Sequence, residues 1–352
     1  MSASRVARFQ LEFRPYRRPF LRPHATARGI WGVREGLIVR LTDGDGRVGY
    51  GEAAPIPGFT PETIAHDRAW LSRAGNAITS AQIARIPTRL TCLRWALACA
   101  RAMIAGAFTP PARALPVATL LPAGPAARAA LARQVAAGYR VFKWKIAALP
   151  APAEYRLLDK LIEGLPTGAN LRLDANGGLN AREFAGWLKH LSALGRDARA
   201  VEFFEQPLPP ARAANAWAAQ RHVANCSNIP IALDESVSGL PALRRAERWP
   251  GPLVVKPSQL GDLAGFLHWR GRVNPDLVYS SAFETSVGLH AALWLAATDS
   301  RAGQRALGFG TFDAFADDGL QLPAHAPGPT LTPAPLTAGD FTELWNRLPT
   351  SA

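Results

Sequence analysis

Cysteine is scarce in these 352 residues: Cys92, Cys99 and Cys226 stand far apart with no CxxC pair. That spacing excludes a disulfide framework and a structural zinc site, and it points to a reducing compartment. Missing too is any run approaching the ~18 apolar residues that a bilayer span needs. The opening stretch, MSASRVARFQLEFRPYRRP, has no apolar signal-peptide core. A cytoplasmic protein without a membrane partner is therefore the expectation. No GxGxxG follows the first parallel strand, and no GxxxxGK[ST] occurs anywhere, so nucleotide-binding glycine loops are excluded. Lysine is nearly absent as well. Of 40 basic residues only Lys143, Lys145, Lys160, Lys189 and Lys256 are lysine, and arginine supplies the rest.

What is present is a composition 48% hydrophobic and 19% charged, enough apolar material for a sizeable core and too much for a disordered chain. The length fits two domains, or one α/β barrel with an attachment. A net charge of +13 raises nucleic acid as a partner. The basic residues are scattered, apart from Arg14, Arg17, Arg18 and Arg22, and no zinc-knuckle, helicase or RNP-type motif accompanies them. A non-enzymatic nucleic-acid protein is thus the disfavoured alternative, and no nucleic-acid partner is expected.

Residues 1–112 read as an α+β unit. Leu37 to Thr42 and Arg47 to Tyr50 flank a DGDG turn, the signal for a tight hairpin. Arg47 occupies the position where a calcium loop needs an oxygen ligand, so that reading of DGDG fails. Pro61 to Ala107 is alanine- and leucine-rich with arginines at helical spacing. From 113 to 320 eight short β-branched or aromatic runs alternate with seven helical intervals: 117–121, 141–146, 170–174, 200–205, 229–234, 253–256, 277–281 and 307–311. Such alternation predicts parallel strands closing into a barrel. An open doubly wound sheet is the runner-up. Residues 321–352, proline-rich before a short helical end, are expected to pack back on the first unit.

In a parallel barrel, function collects where the strands end. Here those ends are charged. Lys143 and Lys145 lie on the second strand, Asp174 ends the third with Asn176 beyond it, Glu205 ends the fourth, Asp234 and Glu235 the fifth, and Lys256 the sixth. Singly, Asp174 reads as a turn residue and Asp234 as a helix cap. Jointly, three acids at equivalent positions of adjacent strands would repel one another, and a hard divalent cation, magnesium or manganese, resolves the conflict. Where this sequence needs only charge it uses arginine, so three of five lysines at strand ends suggests groups that must exchange a proton. Lys143 and Lys145 share a face and should disfavour each other's ammonium form, drawing a pKa toward neutrality. Lysines on both sides of a metal are a device for removing a proton α to a carboxylate.

The motifs GYGEAAPIPGF (49–59), FKWKI, LDANGG, FEQPL, ALDES, VVKPSQLG, SSAFETSVGL and GFGT span nearly the whole chain. With them the sequence resembles the enolase superfamily, in the muconate-lactonizing-type branch that carries KxK on the second strand; the lysine-plus-magnesium chemistry of that superfamily is a known general pattern. The resemblance implies an α/β fold, a modified TIM barrel (β/α)7β under an α+β capping domain. It implies magnesium held by Asp174, Glu205 and Asp234, and Lys145 as the base. Lys256 would stabilise the enediolate and Lys143 would tune Lys145. Asn176, Ser280 and Gly308 would serve the small carboxylate substrate, with a lid at Arg17 to Arg28 and Ile56 to Thr60 offering an arginine to a second carboxylate. The short chain and the SSxxE[ST]xxG and GFGT runs are most similar to the syn-dehydratases of menaquinone and phylloquinone biosynthesis. Dipeptide epimerases and N-acylamino-acid racemases share these residues and are the alternatives. The epimerases generally carry DxD after the last strand, whereas this chain has Asp313, Asp317 and Asp318 in another spacing.

Overall fold

A computed structural model describes residues 7–26, 29–109, 111, 113–211, 214–311, 314–325 and 328–350. The chain opens with an antiparallel sheet. Its strands are β1 (Arg8–Thr26), β2 (Gly29–Thr42), β3 (Val48–Ala53) and β4 (Ala77–Thr79), ordered β3-β2-β1-β4. Phe9, Leu11, Val39 and Leu41 turn inward onto Leu71, Leu93, Ala96 and Leu97, which come from helices α1 (Ile64–Ala74) and α3 (Thr91–Ile104); α2 (Ser80–Ala84) follows β4. The GYG of β3 is an approach surface. A Cβ on Gly49 would stand 2.0 Å from the Ala100 carbonyl oxygen and one on Gly51 1.9 Å from that of Ala96, so only glycine lets α3 lie directly on the strand. The DGDG turn closes as expected, with Asp43 accepting from the Asp45 and Arg47 amides and paired with the Arg47 guanidinium.

The second unit is parallel. Strands β5 (Leu115–Leu121), β6 (Val141–Lys145), β7 (Asn170–Asp174), β8 (Val201–Glu205) and β9 (Ile231–Ala232) run side by side with β12 (Leu307–Gly310) at the β5 edge; β10 (Leu253–Val255) pairs with β11 (Leu277–Tyr279). Parallel bridges Leu233 to Leu253 and Ser280 to Gly308 close the circle. Among the described residues seven α-helices fill the seven intervals: α4 (Ala126–Ala136), α5 (Ala151–Glu163), α6 (Ala181–Ala193), α7 (Ala214–Cys226), α8 (Leu240–Arg245), α9 (Leu263–Val273) and α10 (Ser286–Ala297). This is the (β/α)7β barrel, and the open sheet is excluded. Its interior holds Phe203, Ala232, Val254 and Val278. Phe203 is flanked by the guanidiniums of Arg172 and Arg305, which share Glu202.

After β12 the chain returns to the antiparallel sheet. β13 (Thr330–Leu331) pairs with the start of β5, and α11 (Ala338–Arg347) inserts Phe341, Leu344 and Trp345 between Tyr16, Ile38 and Tyr50. α10 is buried on nearly every face, which explains its predominantly apolar sequence. No helix among the described residues is long and apolar enough to cross a membrane.

Candidate active site

The alternation of β6 places Lys143 and Lys145 on one face, toward the barrel axis. Lys143 Nζ bridges Glu205 Oε1 at 2.6 Å and Asp174 Oδ2 at 2.8 Å. Lys145 Nζ donates to Asp174 Oδ2 and Asn176 Oδ1, both at 2.6 Å. Lys256, just past β10, is ion-paired to Asp234. Asn176 adopts φ 46°, a left-handed conformation that asparagine tolerates better than most residues, and donates to Glu235 Oε1 at 3.0 Å. Ser280 Oγ donates to the Gly308 carbonyl at 3.3 Å, and a Cβ on Gly308 would come within 2.6 Å of that hydroxyl. The nine residues singled out in the sequence thus gather at one barrel mouth.

That mouth opens into a cavity of about 730 Å³. Its floor includes Lys143, Lys145, Asp234 and Lys256, and its walls include Ser280, Ser281, Phe283 and Thr311. Leu21 and Arg22 from β1, Trp31 from β2, and Ile56 and Phe59 from the loop after β3 reach over it. Of the arginine cluster, Arg14 donates to the Trp345 carbonyl, Arg17 pairs with Glu35 and Arg18 with Asp318. Arg22 has no hydrogen-bond or ion-pair partner among the described residues and lines the cavity. Arg28 and Asp313 lie outside the described residues.

The charges correct one expectation. Each of these ammonium groups has a carboxylate beside it, which the sequence argument, weighing only lysine against lysine, left out. Burial pulls the Lys143 pKa down, but Asp174, Glu205 and Asp234 outweigh that and hold it well above the ordinary lysine value. Lys256 is likewise pulled down by burial and lifted further by Asp234 and Glu235. Conversely, Lys143 and Lys145 overcome the burial of Asp174 and keep its carboxyl well below the usual range.

Even so, the acids are in surplus. Burial, with Asp174 and Asp234 nearby, pushes Glu205 up to about 8, and burial with Asp234 pushes Glu235 up to about 7. Glu235 Oε2 is buried with no donor. As the side chains stand, no three acid, histidine or cysteine groups among the described residues are gathered at a common coordination point, because Lys143 sits between Asp174 and Glu205. The donor set is entirely hard oxygen, buried and short of positive charge, which fits a magnesium-like cation.

Sequence reading missed Gln206. It takes φ 36°, accepts from the amides of Asp234 and Ser236 at 3.1 Å each, and donates to Leu208 and Ser236. It thereby ties the end of β8 to the loop after β9. Its signal was its place in FEQPL, directly after Glu205. Glu284, the acid of the SSxxE[ST]xxG run, was given no role by the sequence: buried, it accepts from Ser281 at 2.7 Å and Ser258 at 3.2 Å, linking the β11 loop to the segment after Lys256.

Compared with known proteins, residues 126–249 match the family described as "Enolase C-terminal domain-like", and residues 28–104 match "MenC, N-terminal domain". The o-succinylbenzoate synthase of Thermosynechococcus vestitus is 35% identical over 303 residues, covering 85% of this chain and 91% of its own length. The chain belongs to the o-succinylbenzoate synthase family of the enolase superfamily. The o-succinylbenzoate synthase of Edwardsiella ictaluri is 30% identical over 74% of the chain and 79% of its own length. Among solved structures, the Thermosynechococcus elongatus o-succinylbenzoate synthase, complexed with Mg in its active site, aligns with a TM-score of 0.81 and 33% identity, covering 96% of this chain and all of the other. The L-Ala-D/L-Glu epimerase of Bacillus subtilis aligns with a TM-score of 0.76 at 19% identity over 92% of this chain and 96% of that one, a likeness of fold alone.

Proposed function

We propose that this chain is an o-succinylbenzoate synthase of menaquinone or phylloquinone biosynthesis. It would act in the cytoplasm and dehydrate 2-succinyl-6-hydroxy-2,4-cyclohexadiene-1-carboxylate to 2-succinylbenzoate. The observation that carries the reading is the opposition of Lys145, on β6, and Lys256, after β10, across a floor of buried acids, in a chain this similar to a curated synthase. Asp174, Glu205 and Asp234 would hold magnesium, or manganese, which when bound supplies positive charge to the substrate carboxylate.

The remaining work falls to side chains. Lys145, as the free amine, takes the proton α to the carboxylate, and the electron pair spreads into an enediolate. Lys256 stays charged and faces that anion from the other side, which its raised pKa favours. The C–OH bond then breaks, Lys145 returns its proton to the departing hydroxide, and water leaves a benzenoid ring. One nitrogen serves both transfers, so the elimination is syn, and no oxidant is required. Lys143 tunes Lys145 through their shared partner Asp174. Asn176 orients Lys145, while Ser280 and the Gly308 backbone would meet substrate oxygens.

The test is the ultraviolet absorbance change on mixing purified protein with the cyclohexadiene, with magnesium and then with chelator. Rapid, magnesium-dependent aromatisation is expected, and Lys145→Ala should abolish it while still binding the metal. A folded, metal-loaded wild type without turnover would overturn the synthase reading and direct attention to deuterium exchange on dipeptides and N-acylamino acids.

A further inference from the structure

Arg34, on β2, is 3% exposed, yet it has no carboxylate partner among the described residues. Its donors go to main-chain carbonyls: Nε to Ala282 at 3.0 Å, Nη1 to Pro55 at 2.7 Å and Glu35 at 3.3 Å, and Nη2 to Ala54. A buried guanidinium without an acid is costly unless every bond is well made, and electrostatic pairing does not account for it here. What it joins is informative. Ala54 and Pro55 lead into the segment that carries Ile56 and Phe59 over the cavity, and Ala282 lies between Ser281 and Phe283 in the adjoining wall. Phe283 itself has φ 61°, a left-handed conformation that a phenylalanine keeps only when its surroundings hold it.

A second buried charge on the adjacent strand grips the same wall. Glu52, 1% exposed, accepts from the amides of Thr285 and Gly288 at 3.0 Å each and from Tyr16 at 2.6 Å. It thereby caps α10 directly after the cavity-lining loop.

We propose that Arg34 is a positioning residue whose planar fork sets the spacing between the 54–59 loop and the Ser280–Phe283 loop, and so the shape of the cavity that receives the substrate. The inference rests on the function proposed above. Three bonds in one rigid plane fix both loops at once, whereas a lysine's donors all radiate from one nitrogen and cannot span the same three carbonyls in that planar geometry. A lateral slip between the loops would break at least two of the bonds and weaken the walls' hold on substrate and product, while Lys145, on β6, and Lys256, after β10, keep their places.

The test uses the full chain with magnesium, comparing Arg34→Lys with wild type by steady-state kinetics on the cyclohexadiene, by calorimetric affinity for 2-succinylbenzoate and by amide hydrogen exchange. The expected result is KM and product Kd raised about tenfold or more with kcat within about threefold, as for binding lost equally in the ground and transition states. Exchange should quicken together at Phe59 and Thr60 and at Phe283 and Thr285. Arg34→Met should show the same pattern more strongly, with partial recovery of KM in added guanidinium; if it fails to fold, Arg34→Lys alone decides. Wild-type KM and unchanged exchange in folded Arg34→Lys would overturn the proposal, as would a fall in kcat at constant KM. If the wild type does not turn over the cyclohexadiene, the proposed function fails, and the exchange of the two loops still decides whether Arg34 couples them.

Discussion

Asp67, in α1, is fully buried, neither of its oxygens meets a donor, and it faces Glu62, whose other oxygen caps α3 by accepting from the Cys92 amide at 2.7 Å. Burial and the Glu62 charge push the Asp67 carboxyl up to about 9, so the folded chain keeps a proton that the unfolded chain releases above about pH 4. Stability should therefore fall as pH rises from about 4 to 9. Asp67→Asn, which is neutral at every pH, should flatten that slope and raise the melting temperature at pH 8 by about 2–4 °C, as calorimetry at pH 5 and pH 8 would show; equal shifts at both would contradict the retained Asp67 proton. The clustering of the candidate site was legible at this scale because lysine and acid recur at the ends of successive strands, where a barrel concentrates chemistry. The protonation of Lys143 was not. It depends on which carboxylate lies within 3 Å, and spacing along the chain does not reveal that.

At the scale of elements, the eight parallel strands were readable because each apolar run is short and followed by a helical interval, and buried parallel strands need no alternation. The length of β1 was not readable, since Pro15, Pro19 and Pro23 look like breaks. The structure explains why they are not. The Leu11 amide points away from β2, donating instead to Asn76, and Pro15 and Pro19 share its parity, so neither removes a bond from the β1–β2 ladder. The helical end of the chain was anticipated, but its anchor was not. Trp345 is buried among Tyr50 and Phe341, with the guanidiniums of Arg14 and Arg40 over its ring at 4.6 and 5.0 Å. Trp345→Ala should cost about 3–5 kcal/mol, seen as a lower urea midpoint. A loss below 1 kcal/mol would mean that α11 contributes little to holding the sheet.

Across the whole molecule, the antiparallel sheet and the barrel are joined by buried charges rather than by a linker alone. Glu52 caps α10, and Arg18 pairs with Asp318 while lying 4.0 Å over the Phe315 ring. Magnesium should therefore raise a single cooperative melting transition. The gain is about 2.7 kcal/mol at a hundredfold excess over Kd, reversed by chelator and lost in Asp234→Asn; a metal-independent transition would contradict the oxygen site. The rarity of lysine has one more consequence. Lys160 and Lys189 are exposed, whereas the side chains of Lys143, Lys145 and Lys256 are 12%, 25% and 15% accessible and line the cavity. To an amine-acylating reagent, the side chains of this strongly basic protein present two outer targets and one cluster of three. The acylation rates of that cluster, separated by peptide mapping, would report on whether the mouth of the barrel is open or filled.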